Sequence, residues 1–193
     1  MKLLLKQSPL LLLTISLVFS LIAISCGKSP AASEPQLFDG NWDDLEVYET
    51  GLIDDESASL EYLRDATMYH LDINISSDFL ILTGREQVQY TNRETVELNE
   101  IYFRLLPNVA GGHIVISTIL VDTLTADFDM EADESAVRVT LPEVLKPEKT
   151  VTLQIDFTVD IPQSPGANYG LFGYFNDVLA LDSFYPVIPV YDD

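Results

Sequence analysis

The sequence predicts an all-β fold, either an antiparallel β-sandwich or a saddle-shaped curved sheet, with an N-terminal signal helix and one short helix before it. From Tyr69 onward, apolar and polar residues alternate in one segment after another, which is the period of a strand with one buried face. Short turns separate these segments. Their polar faces are typical of antiparallel sheets that contact water on one side.

The clearest strand lies in TVTLQIDFTVDIP, which begins at Thr150. Its apolar face consists of Val151, Leu153, Ile155, Phe157, Val159 and Ile161. An earlier strand, YHLDINI, has an apolar face made of Tyr69, Leu71, Ile73 and Ile75. In the segment that follows it, Val88 and Tyr90 are predicted to point inward and Gly84 to lie at a bend. Further strands are predicted in LNEIYFRLLPN, HIVISTILV and AVRVTLP.

The N-terminus reads as a lipoprotein signal peptide covering residues 1–25. Lys2 and Lys6 precede an uncharged, mostly apolar run that ends at Ile24, which is the pattern of a secretory signal. A membrane-spanning helix is the alternative, since such a helix needs about 17–20 apolar residues. Cys26, the only cysteine, favours the signal, because LIAIS followed by Cys26 resembles the bacterial lipobox. Ala23 stands where that pattern prefers leucine, and an ordinary secreted protein with a free thiol remains open.

The charge of the chain limits its partners. The net charge of −21 becomes −23 when residues 1–25 are removed, because that segment contains two lysines and no acid. Such a surface repels nucleic acid and anionic lipid headgroups, so the expected tie to the membrane is lipid on Cys26. The expected location is the bacterial cell envelope, outside the cytoplasm. A lone cysteine also excludes an internal disulfide.

Three further regions follow the signal peptide. Residues 26–40 are small, polar and proline-bearing, and predict a flexible tether. Residues 41–68 predict an N-terminal extension with a short helix from Ala58 to Ala66, capped by Ser57 or Ser59. Residues 69–193 predict the β-domain.

No recognisable catalytic centre or metal site is present in this sequence. His70 and His113 are not spaced as a zinc pair, and both are expected on solvated strand positions. The acidic run Asp127–Asp133 alternates carboxylates as calcium ligands do, but a solvated turn is the expected state. The aromatic stretch Tyr169–Phe175 could form either a ligand platform or a packing wall.

Several segments, taken in order, carry a family resemblance. They include a strand led by Tyr69, then Gly84, a strand ending in Tyr90-x-Asn92, and the sequence Leu105-x-Pro107-Asn108. The final segment contains Pro189, Tyr191, Asp192 and Asp193. Together, residues 66–193 resemble the amino-terminal domain of the M1 family of zinc aminopeptidases, particularly its bacterial lipoprotein members. Glu148 stands where that family usually has glycine, and NDVLALDSFYP lacks the glutamine that lines the substrate pocket in some members.

The resemblance implies a saddle-shaped β-domain that leans on a thermolysin-like catalytic domain. In the family, the zinc ion and its ligands belong to that second domain, so zinc is expected in the missing catalytic domain and no cofactor in this chain. Peptides would be substrates of the parent enzyme. The chain itself would be non-catalytic.

The C-terminal segment DSFYPVIPVYDD is unusually apolar, with six aromatic or aliphatic residues among twelve. The resemblance explains this if the chain stops within a larger domain. We therefore expect unpaired strand edge and exposed apolar surface near Phe184–Tyr191, and a tendency to associate. The alternative is a complete, lipid-anchored β-sandwich binding module that uses Tyr169–Phe175 or Asp127–Asp133.

Overall fold

The computed structural model describes Trp42 and residues 51–53, 56–63, 66–166 and 169–190. All of these lie within one compact unit, Leu37–Asp193. The predicted signal peptide (1–25), the tether (26–40), Cys26 and the last three residues lie outside the described residues.

The described part of the chain consists mainly of strands. They are β1 Met68–Ile75, β2 Ile81–Thr91, β3 Leu98–Arg104, β4 His113–Val121, β5 Leu124–Thr125, β6 Phe128–Glu131, β7 Ala136–Leu145, β8 Thr150–Asp160, β9 Phe172–Phe175 and β10 Val178–Leu181. Every strand pair is antiparallel. The predicted all-β fold is therefore confirmed.

Helical structure in the described residues is limited to two short 3-10 segments, Ser57–Leu63 and Leu106–Asn108. The first takes the place of the short helix predicted from Ala58 to Ala66. Its Leu60 is buried, while the Ser59 hydroxyl donates a hydrogen bond to the Glu56 carboxylate at 2.9 Å. None of the helical segments described here has the length and apolar character needed to cross a membrane.

The strands form two main sheets and a hairpin. The large sheet has the order β1-β2-β8-β4-β5, the small sheet has the order β3-β7-β6, and β9 pairs with β10. Buried side chains from both sheets belong to one hydrophobic cluster. All six residues of the apolar face predicted around β8, from Val151 to Ile161, are buried. The core thus lies between the two sheets, as in a β-sandwich.

Gly84 lies within β2, paired with Ile73 on one side and Phe157 on the other, so the prediction of a bend was wrong. A Cβ at this position would lie 2.3 Å from the Phe157 ring. Glycine is therefore needed because an aromatic ring covers the backbone, which is a recognised reason for glycine inside a strand.

Strand β1 forms an edge of the large sheet. Tyr69 and Leu71 are half-buried, as expected from their apolar face, but Ile73 and Ile75 are 36% and 37% exposed. Burial in this strand does not alternate as predicted: residues 68–71 are half-buried and residues 72–75 are exposed. The incomplete burial of β1 follows from the position of the strand at the edge.

Two asparagines organise the connections between strands. Asn92 is fully buried; its amide donates to the carbonyls of Val96 and Leu145, and its side-chain oxygen accepts from the Glu94 N–H. These bonds tie the β2–β3 loop to the end of β7. Asn108 acts similarly after β3, accepting from the Ile114 N–H at 2.7 Å and donating to the Glu134 carbonyl. Both side chains thus satisfy backbone groups that the loops would otherwise leave unpaired.

The β7–β8 turn contains a strained residue. Glu148 has a φ of 61°, in the left-handed region that glycine adopts without steric cost. Its N–H donates to the Asn92 carbonyl at 2.8 Å, which holds it in place. This is the position at which the resembling family usually has glycine.

Replacing Glu148 by glycine is expected to stabilise the domain. The Glu148→Gly variant keeps the backbone hydrogen bond and removes a left-handed side chain, so the free energy of unfolding should rise by about 1 kcal/mol. Chemical denaturation measures this change. Glu143→Gly, at an exposed strand position, is the matched control and should instead destabilise by about 0.5–1 kcal/mol. A lower stability for Glu148→Gly than for the unchanged chain would contradict the interpretation.

Candidate functional site

The most unusual side chain in the described structure is Glu86, a carboxyl inside the hydrophobic core. It lies on the inner face of β2 and pairs with Leu71 of β1 and Ile155 of β8. Glu86 is 0% exposed, and neither of its carboxyl oxygens has a hydrogen-bond partner within the described residues. Buried carboxyls usually have such partners, so this position stands apart.

The surroundings of Glu86 determine its protonation. Burial raises the pKa of the Glu86 carboxyl to about 9, because the apolar core cannot stabilise its charge. The group is therefore a neutral carboxylic acid at pH 7, able to donate one hydrogen bond. Burial likewise raises the pKa of Tyr69 to about 12, and Glu86, which is ionised above its own pKa of about 9, adds to that rise through its negative charge.

The segment that follows β10 packs over this region. The Ile188 N–H donates to the Tyr69 hydroxyl at 3.1 Å, and the rings of Tyr69 and Tyr185 meet edge to face at 5.6 Å. Val187 and Arg104 exchange two backbone hydrogen bonds of 2.7 and 3.2 Å, so the segment begins to extend the small sheet beyond β3. Tyr69 thus links the edge of the large sheet to the C-terminal segment.

This packing differs from the expected bare surface near Phe184–Tyr191. Pro186 is buried, and the other residues from Phe184 to Pro189 are half-buried. Among the described residues of this segment, only Val190 is an exposed apolar side chain, with 90% of its surface accessible. Tyr191 lies outside the described residues. The predicted association stays a prediction.

The two histidines have different environments. His113 is exposed at the start of β4, as expected. His70 was also expected to be solvated, but Trp42 stacks on it with ring centroids 3.9 Å apart and planes 4° from parallel. Burial lowers the pKa of His70, which favours the neutral ring. The sequence could not indicate this contact, because Trp42 lies outside the strand pattern.

The acidic run is held by an arginine. Arg138 on β7 contacts Asp129 at 2.7 Å, Glu131 at 2.6 Å and Glu100 at 3.5 Å. The alternation of carboxylates thus places Asp129 and Glu131 beside one cation from the neighbouring strand. In the part of the chain that the structure describes, no group of three or more histidine, cysteine, aspartate or glutamate side chains could hold a metal ion.

Most of the aromatic stretch Tyr169–Phe175 takes part in packing. Phe172 is buried in the core, and the Tyr174 ring contacts Phe79 with centroids 4.9 Å apart. Tyr169 is 96% exposed. The sequence left open whether this stretch forms a ligand platform or a packing wall. The residues from Phe172 to Phe175 form a packing wall.

Sequence reasoning missed Glu86, although a signal was available. Glu86 has the same parity along β2 as Val88 and Tyr90, which were predicted to point inward and are buried. The alternation of inward and outward side chains along β2 was therefore enough to predict that the Glu86 carboxyl points into the core.

Solved structures of M1 zinc metallopeptidases are similar to part of this chain. An M1 zinc metallopeptidase from Deinococcus radiodurans is 25% identical, with a TM-score of 0.41, over 51% of this chain and 21% of that chain. A mutant of an M1 zinc metallopeptidase from the same organism, bound to a Tyr-Ser-Ala substrate, is 21% identical with a TM-score of 0.41, over 51% and 21%. A two-domain M1 zinc metallopeptidase mutant bound to L-tryptophan is 20% identical with a TM-score of 0.44, over 62% and 28%.

These solved structures are M1 zinc metallopeptidases, the family that the sequence resembles. The aligned part of the chain spans only 21% to 28% of their length. No protein-family model and no curated protein matches the chain.

The buried carboxyl makes stability depend on pH. Glu86 stays protonated in the fold up to its pKa of about 9, whereas in the unfolded chain it ionises above its ordinary value of 4.5. The contribution of Glu86 to the free energy of unfolding is therefore greatest below pH 4.5 and falls as the pH rises from 4.5 to about 9. At pH 7 the loss amounts to about 3 kcal/mol. Glu86→Leu should remove this loss and make the domain more stable at pH 7.

Unfolding curves measured from pH 5 to pH 9 test this expectation. Glu86→Leu should show a flatter stability profile than the unchanged chain. The exposed Glu97→Gln is the matched control and should keep the original profile. Parallel profiles for Glu86→Leu and the unchanged chain would show that Glu86 does not titrate as described.

Proposed function

We propose that this chain is the amino-terminal β-domain of a lipid-anchored M1-like zinc metallopeptidase that acts as an aminopeptidase, and that the domain itself is non-catalytic. The observation that supports the proposal is the role of the residues that carry the sequence resemblance. Four of them make contacts that depend on their own residue type, and alternation alone would not require those types.

Four of these residues illustrate the point. The Tyr69 hydroxyl accepts the N–H of Ile188, just before the Pro189 segment. Gly84 leaves room for the Phe157 ring. The amides of Asn92 and Asn108 each satisfy backbone groups of separate loops. A hydroxyl, a missing Cβ and two amides are specific requirements, whereas alternating strands are common among β-proteins.

The proposed role of the domain is packing against a catalytic domain and lining part of the substrate channel. In the parent enzyme, the zinc ion of that second domain would activate a water molecule for attack on the peptide bond. The carboxyl of Glu86 is buried and therefore not accessible to a peptide in this chain.

The rival interpretation, a binding module that uses the acidic run or the aromatic stretch, has less support. Asp129 and Glu131 are ion-paired with Arg138. Phe172 belongs to the core. Neither stretch presents a prepared site for a ligand.

The proposal also places lipid on Cys26 and the domain in the bacterial cell envelope. The net charge of −23 that remains after removal of residues 1–25 would repel anionic headgroups, so electrostatic attraction would not hold this chain on a membrane. Several acyl chains at one cysteine would bind firmly, whereas a single chain binds only marginally.

The peptidase assignment can be tested at the gene and by assay. The reading frame is expected to continue beyond Asp193 into a segment that encodes an HExxH-type zinc helix. The product of that longer frame should hydrolyse aminoacyl-amide substrates and lose this activity with a chelator, while the 193-residue chain should be inactive with or without added zinc. Stop codons directly after this position in several sister genes would overturn the assignment.

The lipid anchor is expected to depend on Cys26 alone. In a bacterial host, the unchanged chain should partition into the membrane fraction and incorporate labelled fatty acid. Cys26→Ser should lose the label, because the thiol is the attachment point. Ser25→Ala, one residue earlier, is the matched control and should keep it. Labelling of Cys26→Ser would contradict the proposal.

A further inference from the structure

The outer face of the large sheet carries a row of four uncharged side chains, three of them polar and the fourth a leucine. His70 pairs with Gln87, Gln87 pairs with Gln154, and Gln154 pairs with Leu120, so the four residues cross β1, β2, β8 and β4 side by side. We call these four residues the polar row. Neighbouring strands lie about 4.8 Å apart, so the row is about 15 Å long. All four side chains are half-buried, which leaves part of each accessible.

An aromatic platform lies at the β1 end of the polar row. Trp42 stacks on His70 with ring centroids 3.9 Å apart, and Trp42 is itself half-buried. The stack fixes the orientation of the indole on the sheet surface. Because burial lowers the pKa of His70, the platform is uncharged at neutral pH.

A small cavity lies at the other end of the polar row. Its volume is about 110 Å³, and its lining consists of Gln87, Leu120, Asp122, Thr123, Thr152 and Gln154. One oxygen of the Asp122 carboxylate accepts the Thr152 N–H at 3.0 Å, which fixes the carboxylate at the rim. The aromatic platform and the cavity are thus joined by one cross-strand row.

The two glutamines have unused hydrogen-bonding capacity. Neither the Gln87 nor the Gln154 side-chain amide forms a hydrogen bond with any other residue that the structure describes. Each amide provides two donor hydrogens and one acceptor oxygen. On a sheet whose Arg85 and Asp156 are paired at 2.7 Å, these amides are the groups available to a ligand along the row.

We propose that the polar row, with Trp42 and the adjacent cavity, binds a neutral glycan. Sugar rings combine an apolar face, which stacks on an aromatic ring, with hydroxyl groups that both donate and accept hydrogen bonds. The aromatic platform would stack on the apolar face of the sugar. The glutamine amides and the Asp122 carboxylate would form hydrogen bonds with its hydroxyl groups. A few fixed polar groups beside an aromatic surface are typical of small-molecule sites.

The charge of the chain favours a neutral ligand. The row contains no cation, and the net charge of −21 repels anionic polymers. A cationic ligand would need several carboxylates, and the lining of the cavity contains one, that of Asp122. The proposal does not depend on the peptidase assignment, because the side chains involved are not the individual motif residues, such as Tyr69, Gly84 and Asn92, on which the resemblance was based.

The chain provides its own reporter for a test, since Trp42 is its only tryptophan. The full chain, kept in a detergent without sugar headgroups, would be titrated with cellotriose, chitotriose and xylotriose. At least one should produce a saturable change in tryptophan emission. Gln87→Ala and Gln154→Ala should each weaken binding about tenfold, since each removes a hydrogen-bonding side chain.

Calorimetry with the same sugars gives a measurement that does not rely on Trp42, and Trp42→Ala should abolish binding by that method. Thr83→Ala is the matched control, because Thr83 is exposed on the same face but outside the row, and it should bind like the unchanged chain. The proposal is overturned if none of the sugars binds by either method. It is equally overturned if the Gln87→Ala/Gln154→Ala double variant binds normally, or if only peptides or charged polymers bind.

Discussion

Strand β8 holds the domain together, because it pairs with β2 on one side and with β4 on the other while its inner face fills the core. The burial of each aliphatic or aromatic side chain on that face contributes about 1.5–3 kcal/mol. A one-residue slip in its pairing would turn the whole apolar face toward water. The register of β8 therefore fixes both the core and the cross-strand rows on the opposite face of the sheet.

Alternation made the central part of this fold predictable. Each apolar residue expected around β8 is buried, because a central strand has neighbours on both sides and a sheet above it. The same pattern was less informative in β1, where Ile73 and Ile75 remain partly exposed at the sheet edge. Gly84 was misplaced at a bend because its role depends on Phe157, which lies 73 positions later and meets it only through the β2–β8 register.

In the candidate sites, too, some features were visible in the sequence and others only in three dimensions. The parity of Glu86 along β2 was visible in the sequence, but its lack of hydrogen-bond partners could be seen only in three dimensions. The carboxylates of the acidic run are adjacent in sequence to a turn, and their contact with Arg138 requires the β6–β7 pairing. The stack of Trp42 on His70 joins the strand region to a residue far before it, so no local pattern indicates it.

The hydrogen bond from the Ile188 N–H to the Tyr69 hydroxyl closes one edge of the domain, and Tyr69 lies near enough to Glu86 for the charge of that carboxylate to raise the Tyr69 pKa. If that closure parted at neutral pH, water would hydrate the carboxyl and a proton would be released to the solvent. Resealing would then require the acid to recover that proton before it could return to an apolar environment. Local opening at this edge would therefore reverse more readily in mild acid than in alkali.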